Sequence, residues 1–147
     1  MNIEIKFDTQ RLDRAMEGLY DKIEAAKKNA LMGIGQAVAS RATMAFRTAS
    51  FRPSPWAPRK PSKSDDGHPL LIKSGTLRQS IGWKLEGTDT VVVGTDRRYA
   101  PYHQHGTKHM PARPFLPVGS DGRLVPAMER KISKIVNDAV SDALATV

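Results

Sequence analysis

YAPYHQHGTKHMPARPFLPV, running from Tyr99 to Val118, concentrates aromatics, three histidines, a glycine and four prolines in one stretch. Pro101, Pro111, Pro114 and Pro117 each fix φ and remove an amide donor, so neither a long helix nor a central strand can run through it. The stretch must be a shaped loop. Tyr99, Tyr102, Phe115 and Leu116 are too apolar for a solvated linker, and their docking onto a core or a neighbouring subunit is expected, with the prolines lowering the ordering entropy. Within it, Tyr99 to His105 fits a short helix with Pro101 near its first turn and Gly106 at its end.

Working upstream, Trp83 and Leu85 share one face of a strand, Gly87 to Asp89 supplies a turn, and Thr90 to Gly94 is a second, β-branched strand. That is a hairpin. Before it, LLIKSGTLRQSI (Leu70 to Ile81) predicts a short helix capped by Ser74, with Leu77 and Ile81 on one side. FRPSPWAPRKPSKSDDGHP (Phe51 to Pro69) is a mobile Pro-rich loop, disordered in isolation or ordered by a partner. Its Trp56 either folds back onto its own domain or anchors a contact between subunits.

At the amino end, Ile3, Ile5 and Phe7 alternate with charged residues as a short strand would. Asp8 or Thr9 then caps a helix with Leu12, Met16, Leu19, Tyr20 and Ile23 at three- and four-residue steps. Gly18 is a plausible break. From Ala25 to Ala49 a second helix, about 35 Å long if continuous, carries a stripe of mostly small residues, with Gly33 and Gly35 marking a bend or close approach. Downstream of the loop, PFLPV is extended, Ser120 to Gly122 turns, and a final helix carries Leu124, Met128, Ile132, Ile135, Val136, Ala139, Val140 and Leu144 inward. The fold class is α+β: a short, mainly antiparallel sheet against a long N-terminal helix and a C-terminal helix, in a single domain over residues 1–147.

The chain of 147 residues has no Cys, which excludes disulfides and thiolate metal sites, and no apolar run of membrane-spanning length. MNIEIKFD lacks the apolar core of a secretory signal, so an intracellular protein is expected. Its formal charge of +8 permits contact with nucleic acid or an acidic protein. Arg52, Arg59, Lys60 and Lys63 in the loop are the candidate non-specific phosphate contacts, and Trp56 could stack on a base.

Catalytic chemistry finds little support. His103, His105 and His109 are close in sequence, but His103 and His105 fall on different sides of a helix, and neither an HExxH arrangement nor a nearby carboxylate accompanies them. Ser74 lies outside any GxSxG elbow, and GTDRR (Gly94 to Arg98) lacks a phosphate-cradle glycine pattern. Neither a cofactor, a metal nor an enzymatic activity is expected.

Three features in fixed order carry a resemblance: WAPRKPS around Trp56, the L-I-x-S-G-x-L-x-x-S-I pattern at Leu71 to Ile81, and VVVGTDRRYAPYHQHGTKHMPARPFLPVG with its Y-A-x-x-H-x-x-G and P-A-R-P-F-L patterns. The sequence resembles the Mu-like phage virion morphogenesis family, the tail completion proteins, with more distant similarity to lambdoid neck and minor tail components. The resemblance implies a non-enzymatic virion component, assembled in the bacterial host cytoplasm, that acts in tail completion or head-tail joining. It further implies a homo-oligomeric ring, with a hexamer the usual expectation, alongside other tail or neck proteins. Leu77, Tyr99, His103, Gly106, Arg113, Pro114 and Phe115 match its motif positions as structural or interface determinants, joined by Trp56. Arg113, between prolines, is the candidate for a buried ion pair or a clamp on backbone carbonyls. The competing function is a basic nucleic-acid-binding protein touching the packaged genome end.

Overall fold

Helix formers dominate the first third of the chain, and one gap in their run is not enough to stop it. In the computed structural model, which describes residues 3–5, 9–61 and 67–145, α1 (Thr9–Ala45) is a single helix of 37 residues, about 55 Å long. The expected break at Gly18 does not occur. A lone glycine costs only up to about 1 kcal/mol relative to Ala, and the leucine, methionine and alanine around it favour helix. Of the expected first strand, the described residues 3–5 are irregular, with Ile3 85% and Ile5 80% exposed, while the rest of it, Phe7 included, and the cap candidate Asp8 lie outside the described residues. Alternation alone does not hold a strand without a neighbour to pair with.

The helix expected to reach Ala49 stops at Ala45. There the Arg52 Nε donates to the Ala45 carbonyl at 2.7 Å, and the Thr48 amide donates to the Met44 carbonyl at 2.9 Å. Both satisfy carbonyls of the last turn. A 3-10 turn, Ala49–Phe51, then leads into the Pro-rich segment.

The short elements follow. α2 (Thr76–Gln79) starts from Gly75 in the left-handed region, φ +76°, so the N-cap is one residue later than Ser74, whose hydroxyl bonds the Thr76 hydroxyl at 2.8 Å. The strands β1 (Gly82–Glu86) and β2 (Thr90–Gly94) form the two-stranded antiparallel sheet, with Trp83 opposite Val93 and Leu85 opposite Val91 on the inward face. Gly87 makes the turn at φ +60°. α3 (Ala100–His105) has Pro101 in its first turn and ends at Gly106, whose amide bonds the Tyr102 carbonyl. α4 (Pro126–Ala145) is the last element of the described residues; Leu124 precedes it in an isolated bridge to Val118.

The architecture is α+β, with α1 as the spine. The hairpin and α4 both pack on it. α4 runs back along α1, so that Ile135 lies at Gly33 while residues 138–143 line a groove with residues 22–30. Of the apolar residues expected inward on α4, Met128 is buried, but Val140 and Leu144 are 51% and 62% exposed. The core gathers at the carboxyl end of α1, where Ala45, Phe46, Trp56, Leu77, Ala100 and Phe115 pack together. The opposite end of α1 has no such cover: Leu12, Met16, Leu19, Tyr20 and Ile23, which recur at helical steps, are all exposed.

Candidate functional site

The Pro-rich segment enters the core through Trp56, with Phe51 at its start packed beside it. Trp56 is buried, edge-on to Phe46 with ring centroids 5.9 Å apart, and Phe46 in turn meets Phe115 at 5.3 Å. The indole Nε1 donates to the Pro114 carbonyl at 2.7 Å, which satisfies the polar handle a buried Trp brings with it. Across the other face of the indole lies Arg52, its guanidinium carbon 3.9 Å from the ring centroid. Burial lowers the Arg52 pKa from its ordinary value.

Arg113 fastens the same two segments from the other side. Its Nε donates to the Ala57 carbonyl at 2.9 Å and its Nη2 to the Pro58 carbonyl at 3.1 Å. It is a carbonyl clamp, a use that suits a rigid fork of donors. The prolines explain the need: Pro55, Pro58 and Pro114 give no amide, so local backbone bonds are scarce and a side chain must supply donors. Gln104 plays the converse part, its Oε1 accepting at 3.0 Å each from the amides of Phe115 and Leu116, which have no ladder partner in this extended run. The Arg113 amide bonds the His103 carbonyl at 2.7 Å, tying the PARPF segment to α3.

Gly106 is needed at its position for two reasons. Its φ is +73°, and a Cβ there would stand 2.7 Å from the Ala112 amide nitrogen and 2.9 Å from the Met110 carbonyl oxygen. The chain turns back on itself at this point, with Thr107 bridged to Met110.

The motif segments converge. Arg59 of WAPRKPS, Leu71, Lys73, Ser74, Gly75 and Leu77 of the Leu71–Ile81 pattern, and Tyr99, His103 and Arg113 of the Tyr99–Val118 stretch line one cleft of about 300 Å3, together with His68. Leu71 holds a left-handed backbone at φ +62°, a strained choice for a non-glycine residue. Tyr99 stacks edge-on to His103 at 5.9 Å. The His103 pKa is lowered, first by burial and then by the charge of Arg113.

Of the other expected site residues, Leu77 and Phe115 are core and Pro114 supplies the carbonyl for Trp56. Of the loop cations read as phosphate contacts, Arg52 is folded onto Trp56 and Arg59 is bonded to the His68 carbonyl at 2.7 Å. Lys60 is exposed, and Lys63 lies outside the described residues. Among the described residues, no three His, Asp or Glu side chains come together to hold a metal ion, and no helix is long and apolar enough to cross a membrane.

Sequence reasoning missed Gln104, Phe46 and the second role of Arg52. Gln104 occupies an unspecified position of the Y-A-x-x-H-x-x-G pattern, where nothing in the sequence marks it. Arg52 stands four residues before Trp56, a spacing compatible with stacking, but a cation in a basic loop reads equally as a phosphate contact.

A family model, described as the phage virion morphogenesis family, matches residues 7–141. The chain therefore belongs to the phage virion morphogenesis family, and it is a structural component rather than an enzyme. Within the curated proteins it is similar to the Mu-like prophage FluMu G protein 1 of Haemophilus influenzae, 35% identical over 54 residues. That alignment takes in 35% of this chain and 37% of the relative, well under two thirds of the relative's length. No solved structure matches the chain.

Proposed function

We propose that this chain is a ring-forming structural subunit that completes the phage tail or joins head to tail, assembled in the bacterial host cytoplasm with other tail or neck proteins. Its motif residues hold a shape. Trp56, Arg113, Gln104 and Gly106 direct their hydrogen bonds and packing to one another's segments, so the Pro-rich and PARPF segments beside the cleft are held by side chains in place of regular structure. The observation that carries the assembly role is the surface: large apolar side chains stand exposed along both long helices, including Leu12, Met16, Tyr20, Val140 and Leu144. Monomeric soluble proteins rarely leave contiguous apolar patches of this kind uncovered, and such patches mark protein contacts.

The test is genetic and visual. A phage or prophage lacking this gene, induced and imaged by negative-stain electron microscopy, is expected to give unjoined heads and tails or tails of aberrant length, restored by the gene supplied in trans. Normal infectious particles without the gene would refute the proposal.

A further inference from the structure

One apolar seam runs most of the length of α1. Leu12, Met16, Leu19 and Ile23 recur at steps of four, three and four, so they share a face, with Tyr20 beside them. All are exposed, from 38% at Leu19 to 63% at Tyr20. Continuing the same steps inward reaches Ala26, Ala30 and Gly33. Those positions are the ones that α4 approaches: Ala26 and Ala30 line its groove, and a Cβ on Gly33 would stand 3.3 Å from the Ile135 Cγ2. The seam is small where a helix of the same chain already lies on it and large where none does. The α4 side of the groove meets α1 from Lys22 onward, so residues 9–21, about 20 Å of helix, extend past it.

Charge selects the occupant. Asp13, Glu17 and Asp21, at steps of four, form an acidic ridge along one flank of the seam, continued by Glu24, which pairs with Lys27 at 3.8 Å. Residues 9–24 hold four of the fifteen acidic residues and three of the twenty-three basic ones, so the rest of the chain carries a formal charge of +9. Two such ridges set side by side repel, which disfavours arm against arm, whereas the body of another copy attracts. We infer that the outer third of α1 is an arm that docks through Leu12, Met16, Leu19, Tyr20 and Ile23 onto the basic body of a second copy of this chain, head to tail. The contact is heterologous, the kind that closes into a ring when the rotation allows.

The inference rests on the ring reading and names the surface that builds the ring. Native mass spectrometry and light scattering on the purified full chain test it, comparing wild type with Leu19→Asp/Ile23→Asp and with Asp13→Asn/Glu17→Gln/Asp21→Asn, while circular dichroism confirms that the helix content is kept. The wild type is expected to associate, more weakly as salt rises. The Leu19→Asp/Ile23→Asp variant is expected to associate at least about a hundredfold more weakly, equivalent to about 2.7 kcal/mol. The neutralised variant is also expected to weaken, whereas arm-to-arm pairing would make it strengthen and overturn the inference. A wild type that associates while the Asp variant does so equally well removes the arm and leaves the ring standing. A wild type that stays monomeric yet enters particles assigns the arm to a different virion protein, and likewise overturns the inference.

Discussion

Gly35 of α1 lies directly against the indole of Trp83 in β1: a Cβ at position 35 would stand 2.8 Å from Cδ2 and 2.9 Å from Cε3. The indole Nε1 also donates to the Gln36 Oε1 at 3.2 Å, so Trp83 ties the hairpin to two successive residues of the helix. The hairpin has only two strands and depends on this contact, because an isolated two-stranded sheet is marginal in water. Gly35→Ala is expected to destabilise the fold by about 1–2 kcal/mol, the overpacking outweighing a helix-propensity gain of up to about 1 kcal/mol. Urea unfolding followed by tryptophan fluorescence checks the sign; a stabilised variant would show that the ring moves aside freely.

Trp56 and Arg113 fix the Pro-rich segment from opposite sides. Trp56→Ala is expected to cost about 3–5 kcal/mol. Arg113→Lys, which keeps the charge but loses the fork, is expected to cost about 1–2 kcal/mol, as the partly buried Ala57 carbonyl loses a charged donor and the exposed Pro58 carbonyl turns to water. Denaturant midpoints for both variants check the order; an Arg113→Lys protein as stable as wild type would remove the clamp from the account.

His103 makes stability depend on pH. Its folded pKa is depressed below the ordinary 6.5 by burial and by Arg113, so protonation favours the unfolded chain. The contribution is fully present above pH 6.5 and is lost as pH falls through the lower, folded value. His103→Gln is expected to flatten that part of the profile. Urea midpoints measured across mildly acidic pH check this; an unchanged slope in the variant would contradict it.

Gly18 tests the continuity of α1 from the other direction. Nothing lies within 4 Å of a Cβ built there, so Gly18→Ala meets no clash and gains helix propensity. The expected gain is about 0.5–1 kcal/mol, read as a higher thermal midpoint. A loss would mean that the helix is broken at this point in solution.

The sequence made the hairpin, α3 and α4 legible because each has a local signal: β-branched alternation around a glycine turn, a proline at the start with a glycine at the end, and apolar residues at helical spacing. It made the site legible through the proline run, which forced a shaped loop, and through Arg113, whose place between prolines pointed to a need for donors. The rest depended on what lay across the fold. Whether Leu12 to Ile23 is core or surface is decided by where α4 lies, not by periodicity. Whether Ile3 to Phe7 is a strand depends on a neighbouring edge, and the residues of that segment within 3–5 have none in the two-stranded sheet. Arg52 and Arg59 read as phosphate contacts because charge is visible in sequence and the carbonyls they reach are not.

The most direct measurement is the composition and imaging of purified particles. Quantitative mass spectrometry with cryo-electron microscopy of virions from the parent phage or induced prophage is predicted to find this chain at a fixed, small copy number, in a closed ring at the tail end or the neck. Particles that are infectious and complete yet contain none of it would contradict the account.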